Sequence, residues 1–259
     1  MSVFDALADA LHNEEPVALA TVVAGPNVGA KLLVAPGCAA RGSLGDPGLD
    51  RVVARDAEGE LEAGLTSTRH YGVHGEARER DVSVFIESFV LPPRMVIFGA
   101  VDFTAALAKV AKVLGYHVVV CDARAVFATV VRFPMADEVV NDWPDRYLAK
   151  IADELGPRDA VCVLTHDHKF DVPAIAAAVK TRSGYIGAMG SRRTHDGRVV
   201  RLREAGVSDG DIARVMSPIG LDVGARTPEE TAISICAEII AMRTGRRAQS
   251  LRDTAGPIH

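Results

Sequence analysis

Residues 95–122 read MVIFGAVDFTAALAKVAKVLGYHVVVCD, and this stretch decides the fold of the larger part of the chain. It opens with a short buried-strand run at 95–98 and closes with another at 117–121. Between the two runs, apolar residues recur at helical spacing over 103–114. A strand, a glycine turn, a helix and a second strand form a βαβ unit, in which the crossover makes the two strands parallel.

The same alternation of strands and helices continues towards the end of the chain. Further strand runs lie at 160–164 and 184–188. Helical patterns follow at 146–155, 172–181, 192–205 and 228–243. We therefore predict an α/β fold for residues 91–259, with a Rossmann-like parallel sheet and helices on both faces.

The first part of the chain has a different rhythm. Short β-branched runs at 17–24, 31–34 and 81–90 are separated by turns rich in glycine and proline. This pattern is typical of a mostly antiparallel sheet with one or two helices, so we predict a small α/β domain over residues 1–90. The Leu-Pro-Pro-Arg sequence at 91–94 is the best candidate for the linker.

Composition excludes several classes of protein. The chain has 259 residues, a net charge of −5 and only 5% aromatic residues, a poor balance for binding nucleic acid. No apolar run approaches the roughly 18–20 residues that span a bilayer. The N-terminus carries acids where a signal peptide carries bases, and 1–15 fits a short amphipathic helix with Phe4, Leu7 and Leu11 on one face. The four cysteines form no C-x-x-C pair, which is typical of a reduced, cytoplasmic protein.

The glycine turn after the first strand of the βαβ unit has two interpretations. Asp122 ends the second strand, where an acid holds a ribose hydroxyl in dinucleotide-binding proteins, and Gly99 supplies the tight turn. Val101, however, takes the place of the glycine that lets backbone approach a pyrophosphate. Asp102 at the helix start would repel phosphate but is an excellent N-cap. The turn is therefore either a capped helix start without cofactor or an NAD(P) site.

A second strand-to-helix turn is more suited to an anion. Gly190 and Ser191 precede Arg192 and Arg193, which fall in the first turn of the predicted helix. Cations are unfavourable at a helix N-terminus, and a bound anion would remove that penalty and accept charge-assisted hydrogen bonds. The alternative is that Ser191 only caps the helix while both arginines point into water. A phosphate on a pterin cofactor would suit this turn.

Comparison of the two turns predicts where an anion binds. The turn at Gly99 has Asp102 and no base before Lys109, whereas the turn at Gly190 has two arginines. An anion should therefore bind at the second turn with a binding free energy more favourable by several kcal/mol. The condition is that these arginines are not already paired with nearby acids, namely Asp167, Asp171 or Asp196.

Three further groups of residues are candidates with local alternatives. His166 and Asp167 follow a predicted strand, where ligands bind in open α/β sheets, but Asp171 could simply cap a helix beginning at 172. Asp222 is a ligand acceptor or a turn former. Thr227 and Glu230 form a capping box. No metal site is predicted, because two imidazoles at i and i+2 are a weak signature without a third ligand.

The cysteines divide by their setting. Cys121, Cys162 and Cys236 lie in apolar patterns and are predicted to be small core residues. Cys38 lies in a turn and is the candidate exposed thiol. The sequence has no Gly-x-Ser-x-Gly elbow, P-loop lysine or His-Glu-x-x-His motif, so it lacks the residues of hydrolases, ATPases and zinc proteases.

The order of motifs in the second domain resembles the XdhC/CoxI family. The matching stretches are PRMVIFGA at 93–100, DAR at 122–124, FA at 127–128, RFP at 132–134 with AD at 136–137, LTHD at 164–167 with Asp171, YIGAMGSRR at 185–193, PIGLDVG at 218–224 and TPEE at 227–230. The first domain matches more thinly, through GAKLLV at 29–34 and GSL at 42–44. Two departures stand out: Gly99-Ala-Val101-Asp102 replaces Gly-Ala-Gly-His, and GDPGLD at 45–50 replaces a glycine-rich stretch that ends in glutamate.

The resemblance implies a maturation factor for molybdenum hydroxylases such as xanthine or carbon monoxide dehydrogenase. Such proteins bind the molybdenum cofactor (molybdopterin), protect it while its sulfur ligand is installed, and hand it to the apoenzyme. The implied partners are an apo molybdenum hydroxylase, a cysteine desulfurase and a second copy in a homodimer. A cofactor-binding chaperone is thus favoured over a catalyst, and the alternative is a Rossmann-type oxidoreductase that binds NAD(P) at Gly99 and Asp122.

Overall fold

The computed structural model describes residues 2–165 and 167–255, and the chain divides into two compact units, Met1–Leu91 and Pro92–His259. The first unit contains five strands and two helices among its described residues. They are α1 (Val3–His12), β1 (Val17–Ala24), β2 (Lys31–Val34), β3 (Arg41–Ser43), α2 (Pro47–Ala63), β4 (Ser67–Tyr71) and β5 (Val82–Phe89). The strands form an antiparallel sheet in the order β3-β2-β1-β5-β4.

The alternating side chains of β1 separate two small cores in this unit. Ala18, Ala20 and Val22 pack on the α2 side of the sheet, while Val17 and Leu19 pack with α1 on the other. The predicted apolar face of α1 is only partly confirmed. Leu7 packs against the sheet, but Phe4 is 76% exposed. The helix instead turns Val3, Ala6 and Ala10 towards the sheet.

The second unit is a doubly wound α/β sheet. Its strands are β6 (Arg94–Phe98), β7 (His117–Cys121), β8 (Glu138–Val140), β9 (Ala160–Val163), β10 (Tyr185–Ala188) and β11 (Val215–Met216). Its helices are α3 (Asp102–Val113), α4 (Pro144–Ile151), α5 (His168–Ala178), α6 (Arg192–Glu204), α7 (Asp209–Ile212) and α8 (Pro228–Thr244), with short 3-10 turns at Ala152–Glu154 and Leu251–Asp253. The strands are all parallel, in the order β11-β10-β9-β6-β7-β8.

Both faces of the parallel sheet are buried, which confirms the predicted Rossmann-like fold. Met95 and Ile97 of β6 pack on the face covered by α3 and α8. Val96 and Phe98 pack on the opposite face with α4 and α5. Such two-sided burial explains why the strand sequences are continuously apolar rather than alternating. No helix among residues 2–165 and 167–255 is long and apolar enough to cross a bilayer.

Candidate functional site

The first strand-to-helix turn, between β6 and α3, depends on Gly99. Its φ of +107° lies in the region that favours glycine, and a Cβ there would come within 3.0 Å of the Thr165 amide nitrogen. The Gly99 amide donates to the Cys121 carbonyl at 3.0 Å. The turn therefore lies tightly between the ends of β7 and β9, at the edge of the sheet where open α/β folds bind ligands.

The Asp122 side chain is hydrogen-bonded to the backbone of this turn. The carboxylate is 4% exposed, and Oδ2 accepts a hydrogen bond from the Ala100 amide at 2.7 Å. Arg124 donates from its backbone amide and from Nε to Oδ1, both at 2.9 Å, and from its terminal nitrogen to Oδ2 at 2.7 Å. Burial opposes the charged carboxylate, but the hydrogen bonds from Arg124 and Ala100 outweigh it and hold the pKa of Asp122 below its ordinary value.

The crevice beside this turn is almost filled. It encloses only about 10 Å³ and is lined by Gly99, Asp122 and Phe170, among others. The Arg124 guanidinium lies 4.6 Å from the Phe127 ring centre and 5.9 Å from that of Phe170. The volume is that of about one water molecule, so this crevice is not a preformed pocket for a dinucleotide.

The expected capping role of Asp102 is wrong. Helix α3 begins at Asp102 itself, Val101 occupies the N-cap position, and no side chain caps the helix. Asp102 is still favourable there, because its negative charge lies in the first turn of the helix. The same charge makes the turn unfavourable for phosphate, as the sequence indicated.

The Asp122 contacts predict a specific pH dependence. A carboxyl whose pKa is lowered by folding stabilises the folded state at pH values above its ordinary pKa. That stability is lost as the pH falls below the ordinary pKa and through the lowered pKa of the folded state. The wild type should therefore be more stable than Asp122→Asn at pH 6–7, and the difference should shrink below about pH 4. Urea unfolding of both proteins at several pH values measures it. A difference that is constant with pH would contradict the assignment.

The second turn, between β10 and α6, has the Ser191 cap and the exposed arginines that both interpretations of its sequence share. Gly190 has a φ of +145°, and the Ser191 hydroxyl accepts from the Thr194 amide at 3.1 Å. Arg192 and Arg193 are exposed in the first turn of α6, which contains no acidic residue. Neither forms an ion pair with any residue in the described parts of the chain. The required condition for anion binding, that these two arginines are unpaired, is met there.

A buried ion pair lies beneath this turn, and the sequence interpretation missed it. Arg198 is 2% exposed, and its Nε donates to Asp171 Oδ2 at 3.1 Å. Its terminal nitrogens donate to the Met189 carbonyl at 2.7 Å and to the Ser217 hydroxyl at 2.9 Å. One guanidinium thus connects α5, the end of β10 and the end of β11. The available signal was that Arg198 lies four residues before the buried Leu202 and so shares its helical face.

Asp167, and not Asp171, caps α5. The helix begins at His168, where the Asp167 carboxylate accepts from the Lys169 amide at 3.0 Å. The expected cap at Asp171 is therefore wrong, since that carboxylate is buried against Arg198. Asp167 also lies close enough to Arg124 to help raise the pKa of that guanidinium, after the larger effect of Asp122. His166 lies outside the described residues.

The loop at 218–224 is held by α8. The Glu238 carboxylate accepts from the Gly220 amide at 2.9 Å and from the Tyr185 hydroxyl at 2.5 Å. Asp222 is exposed in this loop. The capping box of α8 is confirmed, since Thr227 Oγ1 accepts from the Glu230 amide and Glu230 accepts from the Thr227 amide.

The cysteines lie where their sequence setting predicted. Cys121, Cys162 and Cys236 are buried, and Cys38 is exposed. Burial raises the pKa of Cys236 to about 11 and that of Cys121 to about 12, so neither is a reactive thiolate at neutral pH. Among the residues that the structure describes, no group of three His, Cys, Asp or Glu side chains is arranged to hold a metal ion.

Comparisons with known proteins match both units. Residues 95–239 match the XdhC Rossmann domain, and residues 10–72 match the XdhC and CoxI family. A probable xanthine dehydrogenase subunit of Bacillus subtilis is 33% identical over 195 residues, which cover 69% of this chain and 56% of that protein. The molybdenum cofactor insertion chaperone PaoD of Escherichia coli is 31% identical over 106 residues, covering 41% of this chain and 33% of the chaperone. The chain thus spans about half or less of the length of these relatives.

A solved structure supports the fold. The crystal structure of a xanthine dehydrogenase from Bacillus halodurans aligns with a TM-score of 0.52 over 97% of this chain and 98% of that one. The two sequences are 21% identical, so the likeness concerns the fold alone.

Proposed function

The chain belongs to the XdhC and CoxI family, and from this membership we propose that it is an accessory protein in the maturation of a molybdenum hydroxylase. It would bind the molybdenum cofactor as cargo and assist its insertion into a hydroxylase of the xanthine or carbon monoxide dehydrogenase type. The names of two relatives, a molybdenum cofactor insertion chaperone and a probable xanthine dehydrogenase subunit, support this role. The proposal includes a cytoplasmic homodimer, with the apoenzyme and a cysteine desulfurase as partners.

The observation that carries the proposal is the contrast between the two turns. At the first, Asp122 accepts a hydrogen bond from the Ala100 amide, and the crevice that Asp122 and Phe170 line is nearly filled, which disfavours a dinucleotide there. At the second, two exposed arginines lie at a helix N-terminus without a partner among the described residues. A phosphate is the group that these guanidiniums and the helix dipole would hold.

The residues proposed to hold the cofactor phosphate are those of the second turn. Gly190 and Ser191 shape the start of α6, and Arg192 and Arg193 supply charge and hydrogen-bond donors. Arg198 does not reach the ligand in this proposal but fixes the turn from below, through the Met189 carbonyl. Asp167 and Asp222 belong to neighbouring segments at the same end of the sheet and remain candidates for contacts with the pterin.

Thermal unfolding with added ligands tests the function. We expect extracted molybdopterin to stabilise the protein, by about 2.7 kcal/mol at 100 times its dissociation constant, because a ligand that binds only the folded state stabilises it by mass action. NAD(H) and NADP(H) should give no shift. Stabilisation by a dinucleotide and none by the pterin would instead establish the oxidoreductase alternative. No shift with any of these ligands would indicate a scaffold without a cofactor.

A further inference from the structure

A sizeable cavity lies in the first unit, away from the residues discussed so far. It is a groove of about 550 Å³ between α2, the edge strand β4 and the loop that connects β4 to β5. We call it the arginine groove, because Arg55, Arg69, Arg78 and Arg80 line it. Ligand pockets commonly have volumes of roughly 300–1,000 Å³, so the groove is of the right size for a small molecule.

The floor of the arginine groove is a fixed network. The Asp56 carboxylate accepts from Arg55 Nε at 3.2 Å, from the Tyr71 hydroxyl at 3.1 Å and from an Arg69 terminal nitrogen at 3.5 Å. Arg69 Nε also donates to Glu60, which is 3% exposed, at 2.8 Å. Each arginine of the floor thus has a carboxylate partner, and the floor is close to neutral.

The unpaired charges of the groove lie in its wall, the loop between β4 and β5. Arg78 and Arg80 are exposed, and neither forms a hydrogen bond or an ion pair within residues 2–165 and 167–255. Their loop is held close to α2 at Gly75, where a Cβ would lie 3.0 Å from Val52 Cγ2 and 3.1 Å from the Gly48 carbonyl oxygen. Two unpaired guanidiniums are therefore placed over a preformed floor.

The charge of the lining contrasts with that of the whole chain. Four arginines line the groove against the carboxylates of Asp56 and Glu79, and Glu60 beneath it pairs with Arg69. These groups leave one net positive charge, whereas the chain has a net charge of −5. Unpaired guanidiniums bind phosphate more strongly than they bind water, because their fork of N–H donors matches two phosphate oxygens at once. We propose that the arginine groove binds a small phosphorylated molecule through Arg78 and Arg80.

Pyrophosphate is the probe that tests this site, in a protein whose other candidate anion site has been removed. In the full chain carrying R192Q/R193Q, calorimetric titration should show one bound pyrophosphate. Adding R78Q/R80Q should raise its dissociation constant at least tenfold. The matched control adds R246Q/R247Q, which removes the same charge from two exposed arginines outside the groove and should change the constant less than twofold.

A variant expected to tighten pyrophosphate binding keeps the test decisive if R78Q/R80Q does not fold. Glu79→Gln removes one carboxylate from the lining and should tighten pyrophosphate binding at least twofold. Thermal unfolding midpoints establish that each variant is folded. The proposal is overturned if the R192Q/R193Q protein binds no pyrophosphate, if the control weakens binding as much as R78Q/R80Q, or if Glu79→Gln weakens it. Because the probe contains no pterin, failure here leaves the proposed function standing.

Discussion

Replacing Arg198 with alanine is expected to lower the free energy of unfolding of the second unit by about 3–5 kcal/mol. The substitution leaves the Asp171 carboxylate, which is 3% exposed, without its counter-ion. It also removes the donors to the Met189 carbonyl and the Ser217 hydroxyl. Burying an uncompensated charge costs far more than an ordinary surface contact, and urea unfolding measures the loss.

Two further variants separate the charge effect from a packing effect. Arg198→Met with Asp171→Leu removes both charges and should recover most of the lost stability, because replacing a buried ion pair by apolar groups is often neutral. Arg201→Ala, on the same helix but exposed, should change stability by no more than about 0.5 kcal/mol. If Arg198→Ala cost no more than Arg201→Ala, the ion pair would not stabilise this unit.

The strands and helices were predictable where one periodic signal dominated. The strands at 17–24, 31–34 and 117–121 have the predicted bounds, because short apolar runs bounded by turns are too short for a helix. Strand β4 was missed, since its residues Ser67–Tyr71 are mostly polar and lie at a sheet edge where burial imposes no pattern. Helix α5 begins at His168, four residues before the start that the sequence predicts, because Asp167 rather than Asp171 caps it. Pro173 therefore lies inside the helix and not in its first turn.

The candidate site was predictable at its turns and not at its tertiary contacts. A glycine between a strand and a helix identified Gly99 and Gly190 from spacing alone. The hydrogen bond from the Ala100 amide to Asp122, which fills the first turn, joins residues 22 positions apart and has no local signal. The pairing of Asp171 with Arg198 spans 27 positions, so a local cap was the simpler hypothesis for Asp171.

Removing the two arginines of the turn between β10 and α6 is expected to cause a large and specific loss of ligand affinity. The double substitution R192Q/R193Q should weaken binding of a phosphorylated pterin at least about 100-fold, because a hydrogen bond to a charged group contributes roughly 1.5–3 kcal/mol and each 1.4 kcal/mol is about tenfold in affinity. The turn loses two such donors and keeps only its backbone amides and Ser191. Calorimetric titration of the folded variant measures the change.

The matched control lies at the other end of the same helix. R201Q/R203Q removes the same charge from α6, but near its C-terminus, where cations are already favourable and no anion is expected. Its pterin affinity should stay within about twofold of the wild type, since screening at physiological salt limits the field of a distant exposed charge. Equal weakening by both double variants would mean that net charge, and not the turn, governs binding.

In a crystal soaked in sulfate, the anion should lie against Ser191 and Arg192. Density for the anion at Gly99 and Asp102 instead would show that the backbone amides of the first turn outweigh the repulsion from the Asp102 carboxylate.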